Sequence, residues 1–185
     1  MLLMDVLEHV PDDFRLLSEL LAATAPGTFF LITVPAHRAL WTRHDESFGH
    51  YRRYDRHRLA QAWHGLPVRT RLLSYYNSRL YPAVRAVRTV NRWRGNTTGP
   101  AGTDFTQPPV PINALLAGIF ASEAGRLSDV LAGRRQSGFR TGVSLIAVLE
   151  RTEGRIVPRD RPVDIAADWF DPLAGERLAP AGAAG

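Results

Sequence analysis

The segments MLLMDVLEHVPDD (residues 1–13) and TFFLITV (residues 28–34) decide the fold class of this chain. Residues 1–6 form an apolar run broken only by Asp5, and residues 28–34 are apolar almost without interruption. Runs of this kind are typical of strands buried on both faces of a parallel sheet. Between them, Pro11-Asp12-Asp13 indicates a helix start with a carboxylate cap, and apolar residues recur at helical spacing over residues 14–25. The sequence therefore predicts a strand, a helix and a strand, which together make a βαβ unit.

Further helices and strands are predicted outward from this unit. They are helices over residues 55–64, 78–94 and 112–131 and strands over residues 68–76 and 142–150. Residues 35–54 are predicted to form a polar loop, and residues 95–111, which are rich in Gly, Pro and Thr, a mobile linker. The predicted organisation is a domain over residues 1–150, a helical insertion over residues 79–140 and a largely disordered tail over residues 151–185.

The composition is that of a soluble globular protein. The chain has 185 residues, of which 45% are hydrophobic and 22% charged, as expected for one soluble domain with its own core. It contains no cysteine, which excludes disulfides, thiolate zinc sites and a cysteine nucleophile. The net charge of +5 is compatible with nucleic acid, anionic lipid or a phosphorylated substrate and selects none of them. We expect a cytoplasmic protein, because neither a secretion signal nor a long apolar run is present.

The first candidate site follows the first predicted strand. Ligands of open parallel α/β sheets bind beyond the carboxyl ends of the strands, and Asp5, Glu8 and His9 lie at that place. The alternative is that Asp5 and Glu8 only cap or solvate the turn into the helix. Two carboxylates and an imidazole could also hold a divalent metal. Three ligands within five residues would be crowded, so the sequence assigns no metal.

The second candidate site is the segment WTRHDESFGHYRRY (residues 41–54). His50 could accept or donate a proton near neutral pH. Arg52 and Arg53 could hold a phosphate or carboxylate in a planar fork. The alternative is a solvated basic loop whose aromatic residues tie it to the rest of the domain.

These segments together resemble a known family. The patterns that carry the resemblance are DVLEHVPDD (residues 5–13), APGTFFLITVPAHRALWTRHDESFGHYRRY (residues 25–54), LLSYYNSRLYP (residues 72–82) and GVSLIAVLER (residues 142–151). In this order they resemble the C-terminal half of class I S-adenosylmethionine-dependent methyltransferases of the broad bacterial methyltransferase-domain group. The resemblance covers residues 1–150.

The resemblance implies a partial Rossmann-like sheet. It would contain strands 4 to 7 of the seven-stranded fold, with the last strand, residues 142–150, inserted between its neighbours. The N-terminal βαβ units would be absent, and the sequence contains no G-x-G-x-G run of the kind that approaches the cofactor. We therefore expect a truncated form, in which the open edge of residues 1–6 recruits another strand and causes self-association.

The resemblance also implies an activity and a site. The activity would be methyl transfer from S-adenosylmethionine to a small-molecule, sugar, lipid-linked or quinone-like acceptor. The residues facing the methionine end of the cofactor would be Asp5, Glu8 and His9. The catalytic residues would be His50 as a base and Tyr54 as a supporting hydroxyl. The residues near the acceptor would be Trp41, His44, Asp45, Arg52 and Arg53.

Two other functions remain open at the level of sequence. One is a non-catalytic binding or regulatory half that pairs with a separate N-terminal half. The other is a membrane-peripheral protein, in which an arginine-rich face of the helix over residues 78–94 lies on anionic lipid. The residues of that face would be Leu80, Arg85, Arg88, Arg92, Trp93 and Arg94. An ordinary solvated helix face is the alternative, and nucleic-acid binding is not predicted because no recognised module is present.

Overall fold

A computed structural model describes residues 1–93, 109–159, 169–171 and 176–178 of the chain. The strands are β1 (Leu2–Met4), β2 (Phe29–Pro35), β3 (Val68–Tyr76), β4 (Ser144–Arg151), β5 (Trp169–Asp171) and β6 (Glu176–Leu178). The α-helices are α1 (Asp13–Ala22), α2 (Arg43–Ser47), α3 (Arg56–Gln61), α4 (Tyr81–Trp93), α5 (Val110–Ala121) and α6 (Ala124–Leu131). Two single-turn 3-10 helices lie at Leu7–His9 and Arg38–Leu40.

The main sheet has four strands in the order β1-β2-β4-β3. β1 and β2 run parallel, and β4 is antiparallel to both of its neighbours. The predicted insertion of the last strand between its neighbours is therefore confirmed, as is the mixed α/β fold class. The short strands β5 and β6 pair with each other in a separate antiparallel ladder.

The core lies between the central strands and the helices that cover them. α1 contributes Leu17 and Leu21 at helical spacing, and they pack in one cluster with alternate residues of the two central strands. Those strand residues are Phe30, Ile32, Val34, Leu145, Ala147 and Leu149. Alternation along β2 and β4 places these side chains on the same face of the sheet, and α1 covers that face.

Local capping accounts for where two helices begin. The Asp12 carboxylate accepts from the backbone N–H of Arg15 at the start of α1. The Asp55 carboxylate does the same for Arg58 at the start of α3. Each cap satisfies a backbone donor that has no partner within its own helix. Both starts agree with the sequence prediction.

Several predicted boundaries are wrong. The segment over residues 35–54 contains regular structure, because Thr42 and Asp45 form a capping box that starts α2. The predicted helix over residues 112–131 is two helices, α5 and α6, separated at Ser122 and Glu123. Glu123 is buried there and accepts from the backbone N–H of Arg79 at 2.9 Å. The point where the two helices meet therefore coincides with a contact to a distant segment.

Other differences concern the ends of elements. The first strand spans three residues, and α4 begins at Tyr81, with Pro82 in its first turn. Val110 and Pro111, predicted to belong to the linker, form the start of α5. Most of that linker and of the tail lies outside the described residues. No helix in the described part of the chain is long and apolar enough to cross a bilayer.

Candidate functional site

The candidate site lies beyond the carboxyl ends of the parallel strands β1 and β2. The turn Leu7–His9 follows β1, and the chain after β2 leaves the sheet and returns to it at Tyr54, which bridges to Ala36. The backbone N–H of Tyr51 donates to the carbonyl of Glu8 at 2.7 Å. The two predicted sites therefore form one site, because this segment folds against the turn.

Three predicted residues converge there. A carboxylate oxygen of Glu8 and one imidazole nitrogen each from His9 and His50 lie within 4.8 Å of one another. The two imidazole rings meet edge to face, with their centroids 4.6 Å apart. Asp5 is not a member of this group. Its exposed carboxylate lies 3.4 Å from the Thr33 hydroxyl, and its backbone has a φ of 51°.

Asp45 holds His50 in place. Nδ1 of His50 donates to Oδ1 of Asp45 at 3.0 Å, and Nε of Arg53 donates to the same oxygen at 2.7 Å. Oδ2 accepts from the backbone N–H of Thr42 at 2.7 Å. Burial alone would raise the pKa of the Asp45 carboxyl, but the hydrogen bond from His50 and the charge of Arg53 hold that pKa well below its usual range. Asp45 is therefore an anion that orients the imidazole of His50.

Glu8 is the most unusual group of the site. Only 1% of the residue is exposed, and in the described part of the chain no donor reaches either carboxylate oxygen with hydrogen-bond geometry, although its own backbone amide lies near. Burial raises the pKa of Glu8 to about 8, against the opposing effects of its own backbone amide and of the charges of Arg53 and Arg52. A buried polar group without a partner is costly. Its place at a strand end and its raised pKa make Glu8 a candidate functional group.

His9 is more exposed than its two neighbours in the site. Burial is the larger cause that lowers the pKa of His9, and the neighbouring His50 lowers it further. A hydrogen bond to the backbone of Phe48 opposes both effects. The net lowering favours a neutral imidazole, which can offer a lone pair.

Tyr54 and Arg52 occupy a different environment from the predicted one. The Tyr54 hydroxyl is fully buried, 2.8 Å from Oδ2 of Asp13 and 3.0 Å from the carbonyl of Leu7. Arg52 donates to the carbonyl of Pro11 at 2.6 Å and pairs with Asp13 at 3.4 Å. Both side chains therefore support the turn that carries Glu8. This burial differs from the predictions that Tyr54 supports the base with its hydroxyl and that Arg52 holds the acceptor.

The other residues predicted to contact the acceptor differ in how far they are buried. Arg53 is nearly buried and also donates to the carbonyl of Ala36 at 3.1 Å. Nε1 of Trp41 donates to Glu46 at 3.1 Å, within the same segment. His44 is exposed and lies beside Phe48, with ring centroids 4.3 Å apart. Of the predicted set, the structure brings together Glu8, His9, His50, Asp45 and Arg53.

Sequence reasoning missed two residues near this edge of the sheet. Asp13 was recognised only as part of a helix start, although it is the buried anion beneath Arg52 and Tyr54. His37 has a φ of 58°, stacks on Tyr75 with centroids 4.9 Å apart, and lies 3.2 Å from the Thr141 hydroxyl. Neither role has a signal in local spacing, because each depends on contacts between distant segments.

Comparison of the chain with known protein families, with curated protein sequences and with solved structures returned no match.

Proposed function

We propose that this chain forms the acceptor-side half of a class I S-adenosylmethionine-dependent methyltransferase domain. The observation that carries the proposal is the strand order β1-β2-β4-β3, with an antiparallel β4 between β2 and β3 and a polar cluster beyond the end of β1. The family resemblance of residues 5–54 supports the same conclusion. Methyl transfer is a displacement at a sulfonium carbon and depends mainly on positioning.

The residues present suit one end of the cofactor. The exposed carboxylate of Asp5 stands at the end of β1, where it can pair with the ammonium group of the methionine moiety. The sequence has no glycine-rich turn for the adenosine moiety, so contacts to adenosine would come from outside these residues. The cofactor supplies an activated methyl group. The chain supplies the contacts that orient it and the acceptor.

His50 is the proposed base. Asp45 fixes its Nδ1, which leaves Nε2 to take a proton from an acceptor hydroxyl or amine. The negative charge of Asp45 would stabilise the imidazolium that forms. Trp41 and His44, at the rim of the same segment, are the remaining candidates for acceptor contacts.

The test is an amide-resolved NMR titration of the whole chain with S-adenosylmethionine. We expect millimolar affinity, with shifts at residues 5–9, and loss of those shifts in Asp5→Asn. The matched control is Glu19→Gln, on the exposed face of α1, which should leave the shifts unchanged. Absence of any shift at residues 5–9 up to about ten millimolar would contradict the proposal, because a free energy of only about 3 kcal/mol would already be seen at that concentration.

A second candidate function is contact with an anionic membrane surface. α5 is apolar and exposed, with Val110, Leu115 and Phe120 all largely accessible. α4 exposes Trp93 to 85%, together with Val87. A helix that is apolar on all sides, as α5 is, usually packs against another surface. Its twelve residues are too few to span a bilayer. Of the predicted arginine face, Arg85 is exposed, Arg94 lies outside the described residues, and the side chain of Arg92 is not described.

Co-sedimentation with vesicles tests this second candidate. We expect salt-sensitive binding to vesicles containing anionic phospholipid and little binding to neutral vesicles. Leu115→Gln should weaken binding several-fold, whereas Val157→Gln, an exposed apolar residue outside α4 and α5, should not. Equal recovery of both variants with the vesicles would remove this candidate.

A further inference from the structure

The convergence of Glu8, His9 and His50 has the chemistry of a metal site. One ligand atom from each side chain lies within 4.8 Å of the other two. Zinc–nitrogen bonds are about 2.1 Å long, so two ligands of one tetrahedral ion lie about 3.4 Å apart. Binding would therefore draw the three ligand atoms together by about 1 Å.

Two further observations point to a ligand at this place. The Glu8 carboxylate is almost completely buried, and neither of its oxygens has a donor at hydrogen-bond geometry among the described residues. His50 donates its Nδ1–H to the buried Asp45 carboxylate, so its Nε2 is left as a lone-pair donor. A carboxylate behind a ligating imidazole is the usual outer contact of a metal-bound histidine.

We propose that Glu8, His9 and His50 bind one divalent transition-metal ion of the zinc class. Two imidazole nitrogens and one carboxylate oxygen favour zinc and its neighbours in the first transition series, whereas magnesium and calcium prefer oxygen ligands alone. The exposure of His9 supplies an entry path for the ion. Three protein ligands leave at least one coordination position open to water or to another molecule.

The ion would join two segments that are far apart in the sequence. Glu8 and His9 belong to the turn after β1, and His50 belongs to the segment that follows α2. Binding would therefore hold this segment against the end of the sheet. This inference does not rest on methyl transfer, but it is an alternative to the proposed base role of His50, because the one free lone pair on Nε2 cannot hold an ion and accept a proton at the same time.

Calorimetric titration of the tag-free, chelator-treated chain with zinc chloride tests the proposal. We expect one ion per chain with submicromolar affinity, and little heat from magnesium chloride. Glu8→Gln and His50→Gln should each weaken zinc binding at least about tenfold. Asp45→Asn should weaken it about 10- to 100-fold through its effect on the orientation of His50.

The control is His64→Gln, an exposed histidine outside the site, which should bind zinc as tightly as the unaltered chain. Cobalt titration gives a second readout, because visible absorption bands report nitrogen and oxygen ligation without any assay of activity. Circular dichroism of each variant separates loss of a ligand from loss of the fold. Failure of the folded, unaltered chain to bind zinc, or equal binding by His50→Gln and the unaltered chain, would overturn the proposal. In either case the cofactor titration above would be unaffected.

Discussion

Asp13 is the residue on which the buried polar groups beneath the site depend. Its carboxylate lies 2.8 Å from the Tyr54 hydroxyl, 3.4 Å from Arg52 and 3.7 Å from Arg58. All these side chains are largely or fully buried. Burial lowers the pKa of Arg58 to about 10, which reflects the cost of placing a second guanidinium in this interior. One carboxylate therefore lies between two buried arginines and is shared by both.

Replacement of Asp13 by alanine should destabilise the fold strongly. The change leaves two buried guanidinium groups without their anion, and removing one member of a buried ion pair costs about 3–5 kcal/mol. Urea denaturation followed by circular dichroism measures the loss. The matched control is Asp129→Ala, which breaks the exposed pair with Arg134 and should cost at most about 1 kcal/mol. Similar losses for the two variants would contradict the assigned role of Asp13.

β4 is the element that organises the main sheet. It pairs with β2 on one side and with β3 on the other, so both ladders depend on how the chain enters it. Gly142 lies just before β4, and a Cβ built there would stand 3.0 Å or less from three backbone atoms of Tyr76. The β3 backbone therefore leaves no room for a side chain at residue 142, which explains why glycine stands there.

The variant Gly142→Ala should therefore destabilise the protein by more than about 2 kcal/mol, since backbone atoms cannot rotate away as a side chain would. Gly118→Ala is the matched control, because that glycine lies inside α5 and a Cβ built there meets no atom within 4 Å. There alanine should be neutral or stabilise the helix by up to about 1 kcal/mol. Thermal unfolding of the two variants gives the comparison, and a Gly142→Ala protein as stable as the parent would contradict the close approach.

At the scale of the whole molecule, the edge of the sheet at β1 is the dominant feature. Among the described residues, β1 pairs with β2 on one side alone. Leu2 is 68% and Met4 58% exposed, so apolar side chains accompany the unpaired backbone groups of this edge. Open apolar edges recruit strands from other chains. The predicted self-association through residues 1–6 remains a prediction.

Light scattering of the purified chain tests that prediction. We expect oligomers or aggregates at micromolar concentration, and a shift toward monomer in the double variant Leu2→Lys and Met4→Lys, because charged side chains on an edge disfavour strand addition. Val157→Lys adds one charge at an exposed apolar position outside the sheet and serves as the control. A monodisperse monomer of the unaltered chain would contradict self-association through this edge.

Much of the fold could be predicted from local patterns. The apolar runs at residues 28–34 and 142–150 became central strands, and Asp12 and Asp55 became helix caps. These features depend on residues a few positions apart, so the sequence carries their signal directly. The break between α5 and α6 had no such signal, because Glu123 is turned inward by a contact with the distant Arg79.

The candidate site was predictable in its composition and not in its arrangement. The residue types at the end of the first strand and in the segment after the second one indicated a polar site. The sequence could not indicate which member of the pair Arg52 and Arg53 binds Asp45, or that Tyr54 lies in the interior. Adjacent side chains with the same chemistry differ here only through their tertiary environment.

The sequence by itself determined the order along the chain of the four strands of the main sheet and the residue types found near the end of β1. Those properties follow from periodicity and capping, which act over a few residues. Only the tertiary structure decided that Asp5 lies apart, that His50 takes its place beside Glu8 and His9, and that Asp45 orients it. These relations depend on the return of a distant segment to the sheet edge, where burial and hydrogen bonding select one arrangement.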